Sequence, residues 1–319
     1  MPASRSNSLR HWEAYYRGGT LASCPIGPDG GYTLELRQVW EAFFSRLGEG
    51  ARILDIGTGN GVIPLIAREC AIAAGRRLEI HGSDLAVIDP VRNVRDGVSL
   101  FAGIRFHAQV ATEELPFADC SFEAVSGQYA LEYADVEVAV GEIHRVLVPG
   151  GCAQFILHHA DSVVARNARE SLRQAALVLD ETMILRKLRR HLEGGQRSTP
   201  AARRALEQFD VALNALRQAA HQAPNSLMID VTIDAAGKLA AAHGQAAPAA
   251  LTREVDRFED DVRASVRRLQ DLVRCSQTEP AMRGIVESSE RLGLSVDELG
   301  PQYHSGSILV GWRLRMQKP

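Results

Sequence analysis

An apolar strand that breaks into a glycine-rich turn opening a helix constrains this chain more than anything else in it: Ile53-Leu54-Asp55-Ile56-Gly57-Thr58-Gly59-Asn60-Gly61. Residues 52–57 have the unbroken apolar run of a buried strand, and residues 62–74, with Val62, Ile63, Leu65, Ile66, Ala67 and Cys70, carry the helix that follows. Three glycines between them let bare backbone approach a ligand, because no Cβ stands in the way. A strand, a glycine turn and a helix of this kind belong to an open α/β sheet that binds a nucleoside cofactor.

Spacing then selects the cofactor. A dinucleotide turn has the pattern Gly-x-Gly-x-x-Gly and seats a pyrophosphate, whereas Gly57, Gly59 and Gly61 form Gly-x-Gly-x-Gly with an acid, Asp55, two residues ahead. A carboxylate at the strand tip repels phosphate and suits an amino-bearing or cationic ligand. S-adenosylmethionine carries both an amino group and a sulfonium. A second strand, Leu78-Glu79-Ile80-His81-Gly82-Ser83-Asp84, ends in an acid where such a sheet keeps its ribose-binding carboxylate.

Two further elements follow in order, Leu115-Pro116-Phe117-Ala118-Asp119-Cys120-Ser121-Phe122 and Leu147-Val148-Pro149-Gly150-Gly151. With the glycine turn and the acid ending the second strand, these make the chain resemble class I S-adenosylmethionine-dependent methyltransferases, closest to the group holding the ubiquinone and menaquinone biosynthesis enzymes. The resemblance spans roughly residues 40–160 and, more weakly, 281–316. It implies a doubly wound, mostly parallel seven-stranded Rossmann-like sheet, S-adenosyl-L-methionine as cofactor and S-adenosyl-L-homocysteine as its product. It also implies that Asp55, Gly57, Thr58 and Gly59 line the methionine end, that Asp84 grips the ribose, and that Leu85 packs on the adenine. The family pattern Gly-Asp-Ala before Leu-Pro-Phe is replaced here by Ala108-Gln109-Val110-Ala111-Thr112, so Gln109 or the backbone near Val110 stands in for the missing Asp. Glu123 occupies a position where the family usually has Asp.

The organisation expected is an N-terminal helical lid over residues 1–46, a cofactor-binding domain over 47–160 and 281–319, and a helical insert over 161–280. The lid has helical ends and a Gly27-Pro28-Asp29-Gly30-Gly31 turn between them; Tyr15, Tyr16, Arg17 and Tyr32 are candidates for acceptor contact, with packing of a helix on the sheet as the equal alternative. In the insert, Leu251, Val255, Phe258, Val262, Val266, Leu269 and Val273 step by three or four residues, so this amphipathic helix must bury against something. Thr199-Pro200 supplies a helix cap and an N1 proline, and residues 224–244 fit a helix or an alternating strand, with helix preferred. The insert is expected to cap the acceptor pocket or to form a homodimer. Ser307 to Met316 makes an antiparallel closing strand.

Ligands in open α/β sheets lie beyond the carboxyl ends of the strands. That nominates Gln128 as a cofactor contact, Tyr129, Glu132 and Tyr133 after the fourth strand, and His158 and His159 after the fifth. Either histidine, or Glu132, is a candidate general base for a protonated acceptor; only one histidine can reach, since adjacent strand residues face opposite ways. Tyr129 and Tyr133 are candidate walls of the acceptor pocket. The alternative is a strand-end pair with one histidine buried and hydrogen-bonded. His158-His159-Asp161 would not converge on a metal from one extended strand, so no metal site is expected.

Composition narrows the partners. A net charge of −3 argues against nucleic acid or an anionic membrane surface, and the cluster Arg186-Lys187-Leu188-Arg189-Arg190 is better explained as a solvated helix face than as an RNA site. The five cysteines, Cys24, Cys70, Cys120, Cys152 and Cys275, have no Cys-x-x-Cys spacing, pointing to reduced, mostly core residues rather than a disulfide framework or a zinc site. No apolar run is long enough to span a bilayer, and a cytoplasmic location is the expectation. The function expected is methyl transfer to a small aromatic or apolar-bodied metabolite at oxygen, carbon or nitrogen. Its competitors are a protein, carrier-bound or RNA acceptor held by the insert, and an interaction protein that binds the cofactor without turnover.

Overall fold

The computed structural model describes residues 3–22, 32–194 and 199–319. Cys24, the turn at Gly27 to Gly31 and Gly195 lie outside the described residues. Seven strands form one sheet: β1 Arg52–Ile56, β2 Glu79–Asp84, β3 Ile104–Ala108, β4 Phe122–Gln128, β5 Leu147–Leu157, β6 Ser295–His304 and β7 Ile308–Gln317. Their spatial order is β3-β2-β1-β4-β5-β7-β6. The first five are parallel, β7 runs antiparallel to β5, and β6 antiparallel to β7. The order reverses between β1 and β4, and the carboxyl ends of those two strands flank the crevice where this architecture binds ligands.

Both faces of the sheet are covered, which is why β1 is apolar without alternation. Ile53 joins the layer containing Trp40, Phe44, Ile63 and Ile66, supplied by helices α2 (Leu34–Phe44) and α3 (Val62–Ala73). Its neighbour Leu54 joins Val140, Ile143, Met282 and Leu314 on the other side. After β2 the chain makes two short turns, α4 (Pro90–Asn93) and α5 (Gly97–Leu100), and after β4 a 3₁₀ turn (Leu131–Tyr133) leads to α6 (Val136–Val146). An N-terminal helix α1 (Ala3–Arg17) precedes α2.

The chain divides into two compact units, residues 1–165 with 274–319, and residues 166–273. Helix α7 (Val163–Ala176) leads out of the first unit; α8 (Ile184–Glu193), α9 (Pro200–Gln222) and α10 (Leu227–Ala241) follow, and α11 (Pro248–Cys275) leads back. One π turn, Leu177–Glu181, separates α7 from α8, and there Thr182 N–H donates to Leu177 O at 2.9 Å. The core of this unit holds Leu185, Leu188, Leu192, Phe209, Leu216, Ile229 and Val255. Thr199 caps α9 by accepting from Ala202 N–H at 3.1 Å, ahead of Pro200 in the first turn. In α10 the buried positions are Ile229, Thr232 and Ala236, a helical spacing that overrides the β-branched composition of the segment. The arginine-rich cluster lies on α8, where Arg189 pairs with Glu193 and Asp256 while Leu185, Leu188 and Leu192 face inward.

In the first unit, α12 (Glu279–Arg291) and the β6–β7 hairpin complete the fold. Gln277 ties the returning chain to the sheet. Its N–H donates to His158 O at 2.7 Å, and its carbonyl accepts from Ala160 N–H and from Trp312 Nε1, each at 2.9 Å. Among the described cysteines Cys275 is buried and Cys70 and Cys152 pack against the core, whereas Cys120 is exposed on a turn at φ +52° and departs from the expectation of core positions.

Candidate active site

The glycine turn leaves β1 with all three glycines in the left-handed region, at φ +55°, +51° and +84° for Gly57, Gly59 and Gly61. Side chains are excluded sterically as well: a Cβ on Gly57 would stand 2.4 Å from Ala130 Cβ, and one on Gly59 2.8 Å from the Tyr16 ring. Thr58, buried at the apex, donates its backbone N–H to Ser83 O at 2.9 Å and so joins the turn to β2.

Two carboxylates hold this turn. Asp84 accepts from Gly59 N–H through Oδ2 at 2.9 Å and from Ala86 N–H through Oδ1 at 2.8 Å. Asp55 accepts from Ser126 Oγ at 2.7 Å. They are 7% and 2% exposed, and neither forms an ion pair among the described residues. Burial raises the Asp55 carboxyl to about 7, against the pull of the Ser126 hydroxyl and with repulsion from Asp84 adding to it. Burial likewise raises Asp84 to about 6, the N–H groups of Ala86 and Gly59 opposing it. Two uncompensated acids side by side cost free energy unless a positive group joins them.

The outer edge of this region is formed by residues of the second and third strand ends. Leu85 is half-buried beside Asp84. Gln109 has an exposed side chain and φ +61°, and its N–H reaches Ala86 O at 3.2 Å; Val110 N–H reaches Asp84 O at 2.9 Å. Backbone rather than side-chain groups of 109 and 110 therefore fix the strand end that bears Asp84.

Helix α1 ends on the glycine turn. Asn60 Nδ2 donates to Tyr16 O at 2.9 Å and to Thr20 O at 2.8 Å, and Trp12 lies between Tyr16, 6.0 Å away and near-parallel, and the edge-on Tyr133 at 5.8 Å. Tyr15 directs its hydroxyl to Ala22 O at 3.2 Å. Tyr32, by contrast, is buried in the layer containing Leu36 and Trp40, so of the four tyrosine and arginine candidates in this segment it is the one that packs in the core.

At the exits of β4 and β5, Gln128 accepts from Trp40 Nε1 at 2.5 Å, while its Nε2 has no partner among the described residues. Tyr129, at φ +55°, donates its hydroxyl to Val310 O at 3.0 Å and lies parallel to the His158 ring with centroids 4.0 Å apart. Glu132 Oε1 accepts from His158 N–H at 2.7 Å. Burial raises the Glu132 carboxyl to about 7 despite the N–H groups of His158, Glu132 and Ala130, and depresses His158 to about 3. His159 turns the other way, stacks on Trp312 at 4.3 Å, and accepts from Asp161 N–H through Nδ1 at 2.9 Å. The structure thus brings His158, Glu132, Tyr129 and Tyr133 together and sets His159 apart from them.

Sequence reasoning missed Asn60, Ser126, Trp40 and Gln277. A polar residue at the turn apex and a serine inside an apolar strand carry some signal, because each must find a buried partner; Trp40 and Gln277 act through contacts across 88 and 35 residues that no local pattern encodes. Among the described residues no group of three His, Cys, Asp or Glu side chains could hold a metal ion, and no helix is long and apolar enough to cross a membrane.

Residues 54–155 match the family model described as a methyltransferase domain. The chain is similar to demethylmenaquinone methyltransferase of Thermus thermophilus, 37% identical over 101 residues, covering 31% of this chain and 44% of that protein. Its likeness to the demethylmenaquinone methyltransferase of Chlorobaculum parvum is 35% over 106 residues, 33% of this chain and 40% of the relative. To the malonyl-(acyl-carrier protein) O-methyltransferase of Enterobacter lignolyticus it is 28% over 132 residues, 41% and 46%. The chain thus spans less than half the length of these relatives. The matched segment runs from β1 into β5, so the likeness to a methyltransferase domain falls on the part of the seven-stranded sheet that carries the glycine turn, Asp55 and Asp84.

Proposed function

We propose that this protein transfers the methyl group of S-adenosylmethionine to a small acceptor with an aromatic or otherwise apolar body. One observation carries the reading: Asp55 and Asp84, both buried, flank a turn with three glycines and have no cation among the described residues. An ammonium-bearing sulfonium ligand supplies the missing positive charge, and its ribose hydroxyls can donate to Asp84, whose oxygens keep further acceptor capacity. When bound, the donor offers an electrophilic methyl group.

The chain's own contribution is alignment and exclusion of water, which supply much of the acceleration for a displacement of this kind. Where the acceptor is protonated, Glu132 is the better base. Its carboxyl ionises near neutrality, whereas the His158 imidazole is so weakly basic that it takes up few protons at pH 7. His158 then orients, and Tyr129 and Tyr133 wall the acceptor.

Titration calorimetry with S-adenosylmethionine and S-adenosylhomocysteine is the first test, with saturable uptake expected for both. Labelled methyl uptake from a panel of small aromatic metabolites is the second. Uptake of the donor without transfer to any acceptor would leave a binding protein, and no uptake would end the proposal.

A further inference from the structure

Resting on the methyltransferase reading, we propose that the acceptor is recognised through an uncharged hydroxyl group held between Glu132 Oε2 and His158 Nδ1, and that anionic groups are refused at this position. Both atoms are fully buried and have no hydrogen-bond partner among the described residues. Their residues are 5% and 2% exposed and touch directly, through the 2.7 Å bond from His158 N–H to Glu132 Oε1. Buried polar atoms in native folds are nearly all paired, and leaving one unpaired costs roughly 1–3 kcal/mol. Two such atoms on residues in contact, at the strand ends where ligands of this sheet type lie, mark a place for a polar group from outside the chain.

The chemistry of the two atoms selects that group. An ionised Glu132 only accepts, and a neutral imidazole nitrogen either donates or accepts according to its tautomer. A hydroxyl does both, so it satisfies the pair in either tautomer. An ether oxygen cannot donate to Glu132, and a carboxylate or phosphate would be placed against an acid that no described ion pair neutralises. The surroundings fix the geometry of the pair. The Tyr129 ring lies parallel to the imidazole at 3° and 4.0 Å, Tyr133 meets it edge-on at 6.1 Å, and Tyr129 is itself tethered to Val310 O. The same rings present apolar faces, which suits a hydroxyl on an aromatic body.

The test is a calorimetric titration at about pH 8.5, where Glu132 is ionised, of the full chain saturated with S-adenosylhomocysteine against benzene and naphthalene rings bearing in turn a hydroxyl, methoxy, amino or carboxylate group. The hydroxyl forms should bind at least about tenfold tighter than the matched methyl ethers and carboxylates. In Glu132→Gln the margins over the carboxylates and over the ethers should both shrink, because the repelling charge is gone and the amide can donate to an ether oxygen. Equal affinity for hydroxyl and ether forms, tighter binding of carboxylate or amine, or no binding of any ring would overturn the proposal. The wild-type comparison alone decides this, whatever the variant does to folding. The preliminary titration with S-adenosylhomocysteine separates the two readings: its failure removes the methyltransferase reading as well, whereas its success without a hydroxyl preference removes only this proposal.

Discussion

The two units handle charge in opposite ways. In residues 166–273 no described acid is buried, and several pair along helix faces, as Glu193 with Arg189, Asp234 with Lys238 and Glu259 with Arg263, while the interior is apolar. In the sheet unit three acids, Asp55, Asp84 and Glu132, are buried with hydrogen bonds but no cation among the described residues. An interior made only to be stable does not strand carboxylates. The contrast separates a unit organised for packing from one that accepts a cost in stability to keep acids buried.

Four experiments sharpen or break that contrast. Leu188→Ala empties a fully buried position in the helical unit and should lower stability by about 2–5 kcal/mol, with donor affinity unchanged; denaturant unfolding and calorimetry read the two effects. Asp84→Ala should weaken S-adenosylmethionine binding about a hundredfold, because it removes a buried acceptor and also leaves the Gly59 and Ala86 N–H groups unpaired. Unchanged affinity would break the comparison. The third concerns pH. Acids whose folded values are raised to about 7, 6 and 7 contribute stability that is present below their unfolded values and lost as pH rises through the folded ones. The ligand-free protein should therefore lose on the order of 5 kcal/mol between pH 5 and pH 8 in thermal unfolding, and Asp55→Asn should flatten the fall. Smallest is Arg189→Ala. It removes half-exposed pairs with Glu193 and Asp256 and should cost less than about 1 kcal/mol.

Much of the sheet unit is legible in the sequence because its signals are local. The glycine turn requires left-handed backbone that glycine adopts readily, and an acid ending β2 is visible without knowing what it touches. The acceptor side is less legible. That Glu132 and His158 meet depends on β4 and β5 lying side by side, and that His158 rather than His159 faces Glu132 depends on strand register, which alternation limits to one of the two without choosing. The tether from Asn60 to Thr20 joins elements 40 residues apart, and no periodicity encodes it. In the helical unit, stepping of apolar residues finds α9 and α11, whereas the Leu177–Glu181 π turn depends on Thr182 bonding back to Leu177 and leaves no pattern in composition.

On the proposed reading, Asp55 and Asp84 are buried in wait for a cationic ligand. Calorimetric titration of S-adenosylmethionine near pH 6.5, in two buffers of different ionisation enthalpy, tests it most directly. Binding should release protons, because the ligand's positive charge favours the ionised form of both acids, and affinity should strengthen as pH rises from 5 to 8. Absence of binding, or binding with neither proton release nor pH dependence, would contradict it.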